Sequence, residues 1–78
     1  MYFDDDKTLY HIVGKNVKKY RTLAGYTQSQ FADVIGISLS YLTKIEAANC
    51  DKSFSLSLLN HIANTLHIDI IEFFKECD

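Results

Sequence analysis

The sequence predicts a small all-α domain built from five helices. Three observations favour this fold class: apolar residues recur every three or four positions in successive segments, small polar residues suited to helix capping precede most of these segments, and the 78 residues contain no proline. A chain of this length is expected to form one domain. We therefore expect a single domain over residues 1–78, with an N-terminal extension at 1–7 and a last helix at 68–78.

The first two predicted helices are separated by a glycine turn. Helix one follows an acidic run and ends before Gly25, a residue type that suits a left-handed cap. Helix two begins after Thr27, because Thr27 and Gln30 have the spacing of a capping box. Tyr26 and Phe31 flank this cap as an apolar pair that fixes the entry angle of the chain. The apolar face of helix one comprises Leu9, Ile12, Val13, Val17, Tyr20 and Leu23.

Helix three follows helix two across a tight turn. Gly36 ends helix two and can adopt a positive φ, Ile37 can point inward, and Ser38 is suited to cap the next helix. Helix three then runs from about Leu39 to Ala48. Two short helices joined by a three-residue glycine turn are a recurring supersecondary motif.

The last two predicted helices follow a polar loop over residues 49–55. Apolar spacing predicts helix four from Leu56 to Leu66, and Asp69 with Glu72 forms an acidic variant of the capping box that opens the last helix. More apolar residues lie along this last helix than one small core can take, so we expect one stripe to pack against something else. These residues are Ile70, Phe73, Phe74 and Cys77.

The charges are distributed unevenly along the chain. The net charge is -2, but residues 7–52 hold seven basic residues against three acidic ones, a net charge of +4. The segments before and after this stretch each carry a net charge of -3. This asymmetry is compatible with one face that meets an anion, and equally with ordinary solvated surface charge.

Candidate catalytic and metal-binding residues lack the spacing that their chemistry requires. The three histidines and two cysteines form no paired-cysteine or H-E-x-x-H motif, so we expect no catalysis, no metal and no cofactor. No apolar run approaches the roughly 20 residues that span a bilayer, and no leader pattern opens the chain. We expect a soluble cytoplasmic protein without a disulfide. The residues considered are His11, His61, His67, Cys50 and Cys77.

Residues 13 to 74 resemble the Cro/cI-type (XRE) helix-turn-helix family of phage and bacterial repressors. The resemblance rests on segments with matching joint spacing, which are Val13–Arg21, Ala24–Gln28, Phe31-Ala32, Ile35–Ser38, Tyr41-Leu42, Ile45-Glu46, Ser55-Leu56, Leu59, Ile62-Ala63, Leu66, Ile68, Ile71 and Phe74. It implies a five-helix fold like that of the lambda repressor and a transcriptional regulator, expected to be a repressor. In that family helix three lies in the major groove of double-stranded DNA.

The family resemblance also implies a set of DNA-contacting positions. Gln28, at the start of helix two, matches a glutamine that holds a phosphate, although it is also an ordinary first-turn residue. Leu39 departs from the family pattern, because it can offer only apolar contact to a base and would also suit packing or a partner contact. Asn49 and Lys52 lie in a loop that is longer than the family form, where phosphate contact and solvent exposure are both open. The remaining positions on or beside helix three are Ser38, Ser40, Tyr41, Thr43 and Lys44.

Two further sets of residues carry structural expectations. Arg21 and Glu46 match a pair that forms a partly buried ion pair in the family. Family members commonly bind as homodimers, and the apolar stripe of the last helix is the expected interface: Ile70, Phe73, Phe74 and Cys77. Two alternatives keep the same fold: a module that recognises protein, and an antitoxin with a small protein partner.

Overall fold

The computed structural model describes residues 5–47 and 54–76, and within these ranges every regular element is a helix. Four α-helices are followed by a 3₁₀ helix: α1 (Asp6–Leu23), α2 (Gln28–Ile35), α3 (Leu39–Glu46), α4 (Leu56–Leu66) and the C-terminal 3₁₀ helix (Ile70–Phe74). The predicted all-α class is confirmed. No helix in these two ranges is long and apolar enough to cross a membrane.

The predicted caps define the starts and ends of the central helices. Thr27 and Gln30 form the reciprocal capping box at the start of α2, and Gly36 ends that helix in the left-handed conformation with φ 79°. Tyr26 and Phe31 pack across this cap with ring centroids 5.3 Å apart. These short-range signals therefore set the start of α2 and the direction in which the chain leaves it.

Three predicted helix boundaries differ from the structure. α1 begins at Asp6, inside the predicted extension at 1–7, because the Asp5 side chain caps it by accepting a hydrogen bond from the Thr8 N–H. Helix three ends at Glu46 rather than Ala48, because Ala47 has an extended backbone with ψ 138° that ends the helical hydrogen-bond ladder. The last helix spans five residues and is 3₁₀ rather than a helix over 68–78. One carbonyl near its end and one just beyond it bond to a side chain instead of to a further helical turn: the Asn16 amide donates to the Phe73 oxygen at 2.9 Å and to the Lys75 oxygen at 2.6 Å.

The C-terminal 3₁₀ helix is bound to α1 by apolar and polar contacts. Phe73 is fully buried and meets the Tyr20 ring edge to face. The Tyr20 hydroxyl donates to the Glu72 carboxylate at 3.1 Å, and Lys75 forms an ion pair with Glu72 at 2.8 Å. The hydrogen bond from Lys75, and to a smaller extent the one from Tyr20, lowers the pKa of the Glu72 carboxyl. The expectation that Phe73 lies on an intermolecular surface is wrong, because this ring is part of the domain's own core.

All five helices contribute to one hydrophobic core. α1 crosses α3 closely at Gly14, where an added Cβ would overlap the Ile45 carbonyl oxygen and lie 3.3 Å from its carbon. Only glycine permits this approach, so the position of α3 depends on a residue without a side chain. The buried apolar residues are Val13, Val17, Phe31, Ala32, Ile35, Leu42, Ile45, Leu59, Ile62, Ala63 and Phe73.

Candidate nucleic-acid interface

α2, its glycine turn and α3 form a unit that exposes one side of α3. Ser38 caps α3 by accepting a hydrogen bond from the Tyr41 N–H at 3.0 Å. Leu42 and Ile45 are buried, which fixes the rotation of α3 about its axis. The opposite side consequently faces solvent, and its exposed residues are Leu39, Ser40, Thr43 and Lys44.

The exposed side of α3 carries a sparse set of functional groups. Leu39, the first residue of α3, is 47% exposed. The Thr43 hydroxyl donates to the Leu39 carbonyl at 2.9 Å, so in this arrangement it remains free to accept a hydrogen bond. Ser40 adds a second hydroxyl and Lys44 an ammonium. Tyr41 is half-buried and packs against the core.

Gln28 is the first residue of α2 and is held by a side chain of α3. Its amide nitrogen donates to Oε1 of Glu46 at 3.0 Å. One amide hydrogen and the backbone N–H of this first-turn residue remain for another acceptor. The family resemblance implied a phosphate contact for Gln28 but not its bond to Glu46, which joins residues 18 positions apart.

Arg21 and Glu46 form a buried ion pair behind Gln28. The guanidinium donates from Nε to Oε2 at 2.8 Å and from Nη2 to Oε1 at 3.0 Å, and the two side chains are only 9% and 2% exposed. Nη1 also donates to the Tyr26 carbonyl at 2.7 Å. The network therefore ties the end of α1, the α1–α2 turn, the start of α2 and the end of α3 into one rigid support.

A groove of about 960 Å³ lies beside this support, and α1 forms one wall of it. Three lysines of α1 line the groove, although the family resemblance did not include them among its DNA-contacting positions. Their spacing of three and four residues places them on one side of a helix, and that signal was available in the sequence. The lining residues are His11, Lys15, Lys18, Lys19, Thr22, Leu23, Gln28, Thr43, Glu46 and Ala47.

Asn49 and Lys52 of the α3–α4 loop, and Cys77 of the expected interface, lie outside the described residues. Among residues 5–47 and 54–76, no group of three or more histidine, cysteine, aspartate or glutamate side chains is arranged to hold a metal ion. The surface that the structure brings together thus consists of Gln28 and the exposed side of α3, with the lysine-lined groove next to them.

Comparisons with known proteins show the family to which this chain belongs. Residues 17–73 match the helix-turn-helix family HTH_3. The chain is 38% identical over 61 residues to the uncharacterized HTH-type transcriptional regulator YazB of Bacillus subtilis, and this match covers 78% of the chain and 86% of YazB. It is 30% identical over 67 residues to the HTH-type transcriptional regulator SinR of Bacillus licheniformis, of which the match spans 60%.

A solved structure shows the same fold. The restriction-modification controller protein C.AhdI from Aeromonas hydrophila superposes with a TM-score of 0.73 and 26% identity, over 83% of this chain and 96% of the controller protein. The fold described above is therefore shared with a restriction-modification controller protein.

Proposed function

We propose, from the premise that this chain belongs to the helix-turn-helix family of transcriptional regulators, that it represses transcription by binding operator DNA as a homodimer. In this proposal α3 lies in the major groove and the start of α2 lies against the sugar-phosphate backbone. The observation that carries it is the α2–turn–α3 unit, in which the buried residues of α3 leave the opposite side free to enter a groove.

The start of α2 is suited to hold a phosphate. The N–H groups of a helix N-terminus and the associated positive dipole favour an anion. Gln28 adds an amide N–H at the same end, and Glu46 restrains that amide. Because the carboxylate of Glu46 is paired with Arg21, it adds little net negative charge beside the proposed phosphate.

The exposed side of α3 favours a particular kind of base recognition. Leu39 matches the methyl group of thymine, the one apolar feature of the major groove. Thr43 is left to accept a hydrogen bond, as the exocyclic amino groups of adenine and cytosine require. Lys44 suits the O6 and N7 acceptors of guanine. Direct recognition is therefore modest, and sequence-dependent DNA shape supplies part of the specificity.

Dimerisation through the C-terminal region is proposed on a different set of residues from the predicted one: Ile70 and Phe74 are kept, and Ile71 is added. Phe73 is excluded by its burial, but Ile71 is 56% exposed and the neighbouring Ile70 and Phe74 are half-buried. In this proposal an isologous contact through this surface joins two copies, and each copy takes one of two half-sites one helical turn apart. Substitution of Ile71 by glutamate should give a monomer by sedimentation velocity at micromolar concentration, and a dimer that persists would contradict this interface.

The proposal is tested by binding to the DNA upstream of the protein's own gene. We expect saturable binding that exceeds binding to unrelated DNA and weakens steeply with salt. The double variant Gln28→Ala, Lys44→Ala should lose this binding. A matched control, Lys7→Ala, Asn64→Ala, removes a lysine and an amide from exposed positions elsewhere and should retain it. If the protein does not bind the upstream DNA specifically, selection of binding sites from a random duplex pool is the second test. Absence of specific binding in both tests would refute the proposal.

A further inference from the structure

We propose that the groove beside α1 is a second phosphate-binding surface, which takes the duplex backbone just outside the half-site that α3 occupies. This inference rests on the proposed function, because it assigns a further contact to the same DNA. It concerns a row of lysines on α1, outside the helix-turn-helix unit itself. The row comprises Lys15, Lys18 and Lys19.

The lysine row carries positive charge that nearby acidic groups offset only in part, since the charge of Lys19 acts on Glu72 and Glu76 lines a small cleft together with Lys15. Lys15, Lys18 and Lys19 are exposed, and within residues 5–47 and 54–76 none of them forms an ion pair. Lys19 lies over the Tyr20 ring, 5.2 Å from its centroid, which leaves its charge intact. The one carboxylate that lines this groove belongs to Glu46, and Arg21 compensates it. The groove therefore attracts anions.

The groove is continuous with the proposed DNA surface. Gln28 and Thr43 line it, and these are the residues assigned above to a phosphate and to a base. An anion bound along the lysine row would thus lie next to DNA that is already held by α2 and α3. This continuity favours the same duplex as the occupant over a separate acidic peptide.

The dimensions of the lysine row fit a nucleic-acid backbone. From Lys15 to Lys19 the helix rises about 6 Å, since each residue of an α-helix contributes about 1.5 Å. Along one strand of B-DNA the axial spacing of phosphates is about 3.4 Å, so the rise of the row is about two such spacings. Lysine side chains are long and flexible, which suits contacts to phosphates without sequence preference.

The experiment compares duplexes of two lengths, both containing the half-sites found by upstream mapping or selection. One duplex ends at the outer edge of the half-sites, and the other extends by about six base pairs on each side, which is roughly half a helical turn. Dissociation constants are measured for the wild type, Lys18→Gln and the charge-matched control Lys7→Gln over a series of salt concentrations. Circular dichroism verifies that the variants fold.

We expect the wild type and Lys7→Gln to bind the longer duplex more tightly, and Lys18→Gln to lose this advantage. On the longer duplex the slope of log K against log salt should fall by about 0.9 for each phosphate that the variant no longer neutralises, or about 1.8 for a dimer. A neutral methylphosphonate at the contacted flanking position should weaken the wild type but leave Lys18→Gln unchanged. This combination of results would show that Lys18 contacts the phosphate at that position.

Three outcomes would overturn the inference. Equal slopes for Lys18→Gln and the wild type would mean that the lysine row does not contact DNA. If Lys18→Gln weakened binding equally on both duplexes, the lysine would contact DNA inside the half-site. Specific binding by the wild type that is independent of duplex length would also contradict a flanking contact. Failure of the wild type to bind any duplex specifically would instead refute the proposed function, so the two failures are distinguishable.

Discussion

The buried ion pair between Arg21 and Glu46 allows a quantitative prediction about stability and binding. The perturbation is a double-mutant cycle: Arg21→Met, Glu46→Leu, and the two changes together. Each single change leaves one buried charge without its partner, whereas the double change replaces both charges by apolar side chains of similar length. We therefore expect the single variants to be less stable than the double variant.

The expected magnitude follows from the burial and geometry of the pair. Two charge-assisted hydrogen bonds of 2.8 and 3.0 Å join side chains that are 9% and 2% exposed. Breaking such a pair from one side costs about 3–5 kcal/mol, while replacing both partners by apolar residues is often neutral. A domain of this size has a free energy of unfolding of about 4–12 kcal/mol. Each single variant should therefore approach the limit of stable folding.

Urea denaturation, monitored by circular dichroism, measures the free energy of unfolding of the wild type and of each variant in this cycle. The double variant should recover most of the stability lost by either single variant, although removal of the bond from Arg21 to the Tyr26 carbonyl leaves a deficit of about 1 kcal/mol. Its DNA affinity should stay below that of the wild type, because Gln28 loses its acceptor on Glu46. Single losses below about 1 kcal/mol, or losses that simply add in the double variant, would refute this reasoning.

Three further predictions concern other parts of the domain. Gly14→Ala should lower the thermal midpoint of unfolding. Overlap of the new methyl group with the Ile45 carbonyl costs about 1–3 kcal/mol, whereas alanine contributes about 1 kcal/mol more helix propensity than glycine. A raised midpoint would contradict the close approach of α1 and α3. Because hydrogen bonds lower the pKa of the Glu72 carboxyl, its contribution is present at neutral pH and is lost as pH falls below about 4, so the urea midpoints of wild type and Glu72→Gln should converge in acid. Replacing the contacted thymine by uracil should weaken wild-type binding about fourfold and leave Leu39→Ala unaffected, as removal of one buried methyl group predicts; equal effects on both proteins would exclude that contact.

Local signals in the sequence predicted the helix-turn-helix unit well. The capping box at Thr27, the left-handed Gly36 and the cap at Ser38 each depend on residues at most four positions apart. Such features are determined by short-range hydrogen bonds and backbone preferences, which a sequence states directly. The predicted family membership is confirmed for the same reason, since its motifs consist of these spacings.

The C-terminal region was harder to predict because its structure depends on distant residues. Asn16 binds carbonyls 57 and 59 positions away, and this contact ends the last helix early and holds Phe73 inside the core. Periodicity shows that a segment is apolar but not which of its residues reach the core of the same chain. The bond from Gln28 to Glu46 escaped prediction for the same reason, since it joins two helices across the fold.

The central claim is that α3 lies in the major groove of a specific operator, and methylation interference tests it most directly. Methylation of guanine N7 marks the major groove, and methylation of adenine N3 marks the minor groove. We predict that guanine N7 methylation interferes with binding at two clusters of positions one helical turn, about 10 base pairs, apart. This interference should be lost for Lys44→Ala. Interference confined to adenine N3, or none at an operator that the protein binds, would contradict the account.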